Sequence, residues 1–205
     1  MKRTLIALTL TLSVALVAGT AGAAAAEPSA RPSVRAATLD AVKDAVAARI
    51  DQRLAALQKF ETGLAAAKQV QAAHRDTLTK LIAGQRAGLT ALKTKVQGET
   101  TAAAVKDDAV AMVTGYRVFV LTGPKVRLTA AVDTELAVIA KLRTMPGADT
   151  GKLDAIEATL KGKVDALLAI QPGPDADAIK SQLQPVRAAA KTAHTDLKAL
   201  RKATK

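Results

Sequence analysis

Apolar residues return every three or four positions along most of the chain, and that spacing restricts what it can fold into. Leu39, Val42, Val46, Ile50, Leu54, Leu57, Phe60 and Leu64 share one face of a helix with 3.6 residues per turn. Thr38 stands just ahead of them, where its hydroxyl can accept from a free N–H of the first turn, and is the expected N-cap. The rhythm resumes through His74, Leu78, Leu81, Gln85, Leu89, Leu92 and Val96, while between Leu64 and His74 only Ala67 and Val70 carry it. Residues 38–97 are therefore one helix or two. A single helix would be about 90 Å long at 1.5 Å per residue, so two helices meeting near residues 69–74 are favoured.

"VQGETT" (96–101) is a clear break: Gly98 fits the position after a helix end, and Thr100 or Thr101 fits the next N-cap. A third run passes through Val105, Ala109, Met112, Tyr116 and Val120 to Gly123-Pro124, and its spacing continues at Leu128, Ala131, Leu136 and Ile139. After the loop "MPGADTGK" come Leu153, Ile156, Leu160, Val164 and Leu167. After "QPGPDAD", a heptad-like seam runs from Ile179 through Leu183, Val186, Ala190, Ala193 and Leu197 to Leu200. Only "YRVFVLT" (116–122) has strand composition, and a strand there would have no partner, so it reads as helix. The expected fold is all-α: an elongated antiparallel bundle, coiled-coil-like, of about five helices. Its core is thin and Ala-rich, and its central helix is kinked at Pro124.

The first residues, "MKRTLIALTLTLSVALVAGTAGAAAA", have a basic start, an apolar run and small residues at A-x-A spacing. They read as a secretory signal, residues 1–26, cleaved after Ala26, with Ala23 as the alternative. The apolar run is shorter than the roughly 20 residues of a spanning helix. Residues 27–37 read as a flexible leader and 38–205 as a single helical-bundle domain. The expected location is extracellular or at the cell envelope. With no Cys in the chain, a lipid-modified Cys, a disulfide framework and thiolate metal sites are excluded.

Loss of Lys2 and Arg3 with the signal leaves 28 basic residues against 18 acidic ones, a net charge of +10. Such a charge favours an anionic cell-wall polymer or a membrane surface as partner. Nucleic acid is not expected: one Tyr, two Phe and no Trp leave no stacking platform, and no helix-turn-helix or basic-zipper pattern occurs. The oligomeric state is open.

Signals of catalysis are missing. There is no GxSxG, P-loop or HExxH, and Ser29, Ser33 and Ser181 are the only serines beyond the signal. A non-enzymatic protein without catalytic residues, metal or cofactor is expected. His74, on an apolar stripe, and His194, beside the C-terminal seam, read as a partly buried and a surface histidine. In an alternative reading a small molecule or haem lies between helices near Tyr116, Phe119 and a histidine. In a third, the protein is membrane-active or an oligomeric coiled coil.

Two segments are candidate binding sites. In "GYRVFVLTGPKVRLTAAVD" (115–133), Val118 to Leu121 make one helical turn apolar all round, as in the middle of a bundle. Gly123-Pro124 bends the helix there, with Arg117, Lys125 and Arg127 on either side. Core plus kink accounts for most of the stretch. A binding notch formed by Tyr116, Arg117, Phe119, Lys125, Arg127 and Asp133 is the sharper reading. Towards the C-terminus, Lys180, Arg187, Lys191, Lys198, Arg201 and Lys202 stand against Asp196 alone. They form either a polyanion-binding face or a solvated face suited to the negative pole of its helix.

"YRVFVLTGPKVRLTAAVD", preceded by "GQRAGLTALKTKVQGET", resembles uncharacterised secreted helical proteins of high-GC bacteria that carry a YRVxxLxxPKxxLxxAxD core motif. The resemblance covers about residues 38–140. It implies an all-helical fold and export, and it marks Tyr116, Arg117, Val118, Leu121, Pro124, Lys125, Leu128 and Asp133 as the shared signature. It implies no activity, so no catalytic residue is carried over.

Overall fold

A computed structural model describes residues 32–203, and side chains for residues 38–202. The expected signal and residues 27–31 of the expected leader lie outside the described residues. In chain order the elements are α1 (Pro32–Ala66), α2 (Ala72–Gly98), α3 (Ala102–Tyr116), a π-helical turn (Val118–Thr122), α4 (Gly123–Arg143), α5 (Thr150–Leu160), α6 (Lys163–Ala169) and α7 (Ala176–Ala203). No strand occurs among the described residues.

Local chemistry sets the ends of these helices. α1 begins at Pro32, not at a Thr38 cap, and so takes in part of the expected leader. A proline suits a first helical position because its missing N–H would be unpaired there anyway. α1 and α2 are two helices. Arg75 closes the break between them, its guanidinium donating to the carbonyls of Leu64 (2.5 Å) and Ala67 (2.6 Å) at the end of α1. Thr101 caps α3 by accepting from Ala104 N–H, and Asp149 caps α5 by accepting from Lys152 N–H. Gly162, at φ 69°, separates α5 from α6 in a left-handed conformation that glycine adopts without strain.

Counted as columns, the helices are the expected five: α1, α2, α3–π–α4, α5–α6 and α7. α1 and α2 pair antiparallel, pinned by Asp51–Lys93 (2.6 Å) and Glu61–Arg86 (2.5 Å), and enclose a core with α3 that holds Ile50, Leu57, Leu78, Leu89 and Met112. α4, α5–α6 and α7 enclose a second core around Ile139, Leu153, Leu160, Leu167 and Leu183. The central column belongs to both: Val118 and Val126 face the first core, and Leu121 and Val132 face the second. Small residues thin the second core along α7, where Ala190 and Ala193 are buried.

Candidate functional site

The central column changes phase at Arg117. Among the described residues it is the only non-glycine with positive φ (φ 46°, ψ 38°), a conformation that crowds its Cβ. The surroundings hold it there. Its Nε donates to the Gly173 carbonyl at 2.7 Å, and its Nη2 to the Pro174 carbonyl. Gln85 of α2, itself buried, donates from Nε2 to the Tyr116 carbonyl (2.9 Å) and accepts from Thr122 Oγ1 (2.8 Å). The turn that follows is wide, with Gly123 N–H donating to the Val118 carbonyl. Pro124 therefore enters at the start of α4, where the wide turn makes room for its ring.

This change of phase corrects one expectation. Phe119 is not in the core but half exposed (50%), with the Arg53 guanidinium 5.5 Å from its ring centroid. Val118 and Leu121 take the inward positions of the turn instead. The aromatic ring that packs on the column is Phe60 of α1: a Cβ on Gly123 would lie 2.8 Å from its Cζ. Tyr116 lies against Gly88 of α2, its hydroxyl 2.6 Å from where a Cβ would be.

The charged residues of the motif do not converge. Arg117 ties down the loop before α7. Lys125, only 4% exposed, donates from Nζ to the carbonyls of Leu168 (2.8 Å) and Ile170 (2.6 Å) at the end of α6. A cation there faces the negative pole of that helix, and burial pushes its pKa below the ordinary lysine value. The Asp133 carboxylate is wholly buried and accepts from Gln71 N–H (2.9 Å), Gln71 Nε2 (3.3 Å) and His74 Nδ1 (2.9 Å) at the start of α2. Lys125 and Arg117 thus tie the two ends of the α6–α7 connection to the central column, and Asp133 ties the α1–α2 break to it.

Two cavities adjoin them. One, of about 430 Å³, is lined by Tyr116 and Lys125 with Lys80, Gln85 and Thr122. The other, of about 540 Å³, is lined by His74 with Asp154, Glu157 and Asp165. Arg117, Phe119 and Arg127 line neither. Tyr116, Phe119 and a histidine, the residues of the haem reading, are not brought together. His74 is held on Asp133, and His194 on Glu135 at 2.8 Å. Those two carboxylates are two residues apart on α4, about 200° round the helix, so the histidines flank different sides of it. Arg75, Gln85 and Glu135 were not singled out by sequence reasoning as site residues. Gln85 alone carried a signal, as a polar side chain on an apolar stripe.

The C-terminal basic residues do come together. Lys180, Arg187, Lys191, Lys198 and Lys202 are seven, four, seven and four residues apart on α7 and all exposed. At 100° per residue they share a stripe about 60° wide and about 33 Å long. Lys180 pairs with Asp177 at 2.7 Å. Arg201 flanks the stripe beside Glu135 and His194. Asp196 lies on the opposite flank, facing Lys152 and Ala155 of α5. The apolar seam of α7 is buried in the second core.

No protein-family model matches the chain, and neither a curated protein nor a solved structure matches it.

Proposed function

We propose that the protein is an exported, non-enzymatic binding protein that holds an anionic polymer of the cell envelope along α7. The observation that carries this reading is the exposed basic stripe on one flank of a helix whose apolar face is already used in the core. A helix that enters a bilayer surface needs a free apolar face, and α7 has none, which favours a polymer over a membrane. Along the helix axis the charges are spaced about 10 Å and 6 Å alternately, so an extended chain with repeating phosphates meets several of them at once. Export is supported by the signal-like first 26 residues.

The test is binding to a poly(glycerol phosphate) at rising salt. Affinity is expected to fall steeply with ionic strength, because exposed charges are screened within about 10 Å at 0.1 M salt. Substituting Arg187, Lys191, Lys198 and Lys202 by Gln together abolishes binding. Substituting Lys59, Lys68, Lys106 and Lys161, equally exposed but elsewhere, leaves most of it. Equal losses in the two variants would reduce the effect to net charge and overturn the assignment. Tighter binding to anionic vesicles than to the polymer would move it to the membrane.

A further inference from the structure

The cavity beside the π turn has a composition of its own. It is lined by thirteen residues, two of them lysines and none acidic, whereas the cavity beside His74 carries three carboxylates. Lys125 is more than nine-tenths buried and has no carboxylate partner among the described residues. An ammonium group has three donors, and two of them are used on the carbonyls of Leu168 and Ile170. The carbonyls at the end of α6 offer only partial negative charge, so this buried cation lacks the full countercharge that would repay its desolvation. Lys80, at the exposed rim, adds a second positive charge, while Leu81, Leu121 and Leu168 give the cavity an apolar wall. At about 430 Å³ it suits a small molecule and not a polymer.

We infer that this cavity binds a small organic anion, its carboxylate or phosphate held by Lys125 and Lys80 and its apolar body lying on Leu81, Leu121 and Leu168. This site is separate from the α7 stripe and takes a different class of ligand.

Amide chemical shifts of the labelled protein, titrated with octanoate, octyl phosphate and octan-1-ol, test the inference. Either anion is expected to shift Gly84, Gln85, Thr122 and Gln171, and which one binds more tightly identifies the head group. Octanol, with the same tail and no charge, binds about tenfold more weakly or worse, the worth of one charge-assisted hydrogen bond. Lys125→Met lowers anion affinity by about tenfold or more on the same grounds. Lys80→Gln, at an exposed position, lowers it by a smaller factor and serves if the Lys125 variant does not fold. Shifts confined to other regions, octanol binding as tightly as the anions, or wild-type affinity in Lys80→Gln and in any folded Lys125→Met would overturn the proposal.

Discussion

Removing the Asp133 carboxylate is expected to loosen the start of α2 more than any exposed cap would. The group is wholly buried and holds three donors, two of them at 2.9 Å. Hydrogen bonds to a charged group contribute about 1.5–3 kcal/mol each, and the desolvation of the carboxylate offsets part of that. Asp133→Ala should therefore cost about 3–4 kcal/mol, against about 1 kcal/mol for an ordinary N-cap. For a chain of this size the melting temperature falls by about 2–4 °C per kcal/mol, giving a drop of roughly 6–16 °C. Far-UV circular dichroism during thermal and urea unfolding measures it. Asp133→Asn, which keeps the shape and one acceptor, should lose about half as much. A cycle with His74→Ala should show a coupling of about 1–3 kcal/mol, since the two side chains touch. Hydrogen exchange should quicken most at the Gln71 to Arg75 amides, where the opening is local. An Asp133→Ala protein that melts within about 2 °C of wild type would refute the reasoning, as would independent effects of the two substitutions.

Phe119→Ala, at a half-exposed ring, should cost only about 1 kcal/mol, measured by urea denaturation, whereas a buried aromatic costs about 3–5 kcal/mol. Gly123→Ala sits at a helical φ of −59°, where propensity alone favours alanine by about 1 kcal/mol. Contact with Phe60 reverses the sign, so the expected outcome is a loss of about 1–3 kcal/mol, relieved when Phe60→Leu is added. The carboxyls of Asp149 and Asp175 are held below the usual 3.8 by backbone N–H groups, of Lys152 for the first and of Ala178 and Asp177 for the second. Their folded-state pKa is depressed, so their stabilisation is present above about pH 3.8 and lost as pH falls through the folded value. Melting curves of Asp149→Ala and Asp175→Ala should differ from wild type at neutral pH and merge with it in acid.

The helices were legible because each is written in local spacing. Ile50, Leu57, Leu64, Leu78 and Leu89 lie on the stripes that the three-and-four rhythm picks out, and all are buried. Val42 keeps the rhythm yet is 38% exposed, because α2 ends beside it: Lys43 Nζ already reaches the Gln97 carbonyl at 2.9 Å. The α7 stripe was legible because all its members lie within one helix. What the sequence did not disclose depends on distance along the chain. Asp133 meets Gln71 across 62 residues, and Lys125 meets Ile170 across 45, and no local pattern encodes either. The exposure of Phe119 was hidden for another reason. A left-handed arginine followed by a π turn breaks the 100° count, and nothing in the residue type of Arg117 announces it.

The column that runs from α3 through the π turn into α4 also governs the order in which the chain can become stable. Its residues complete the first core and open the second, so the first three columns alone leave Leu121, Val132 and Ile139 bare until α5, α6 and α7 arrive. A fragment ending in the loop after α4 would carry that bare strip into water and associate through it, whereas the entire chain has it covered. Because the column is shared, the two cores are expected to melt in a single transition, with coincident curves from probes placed in each.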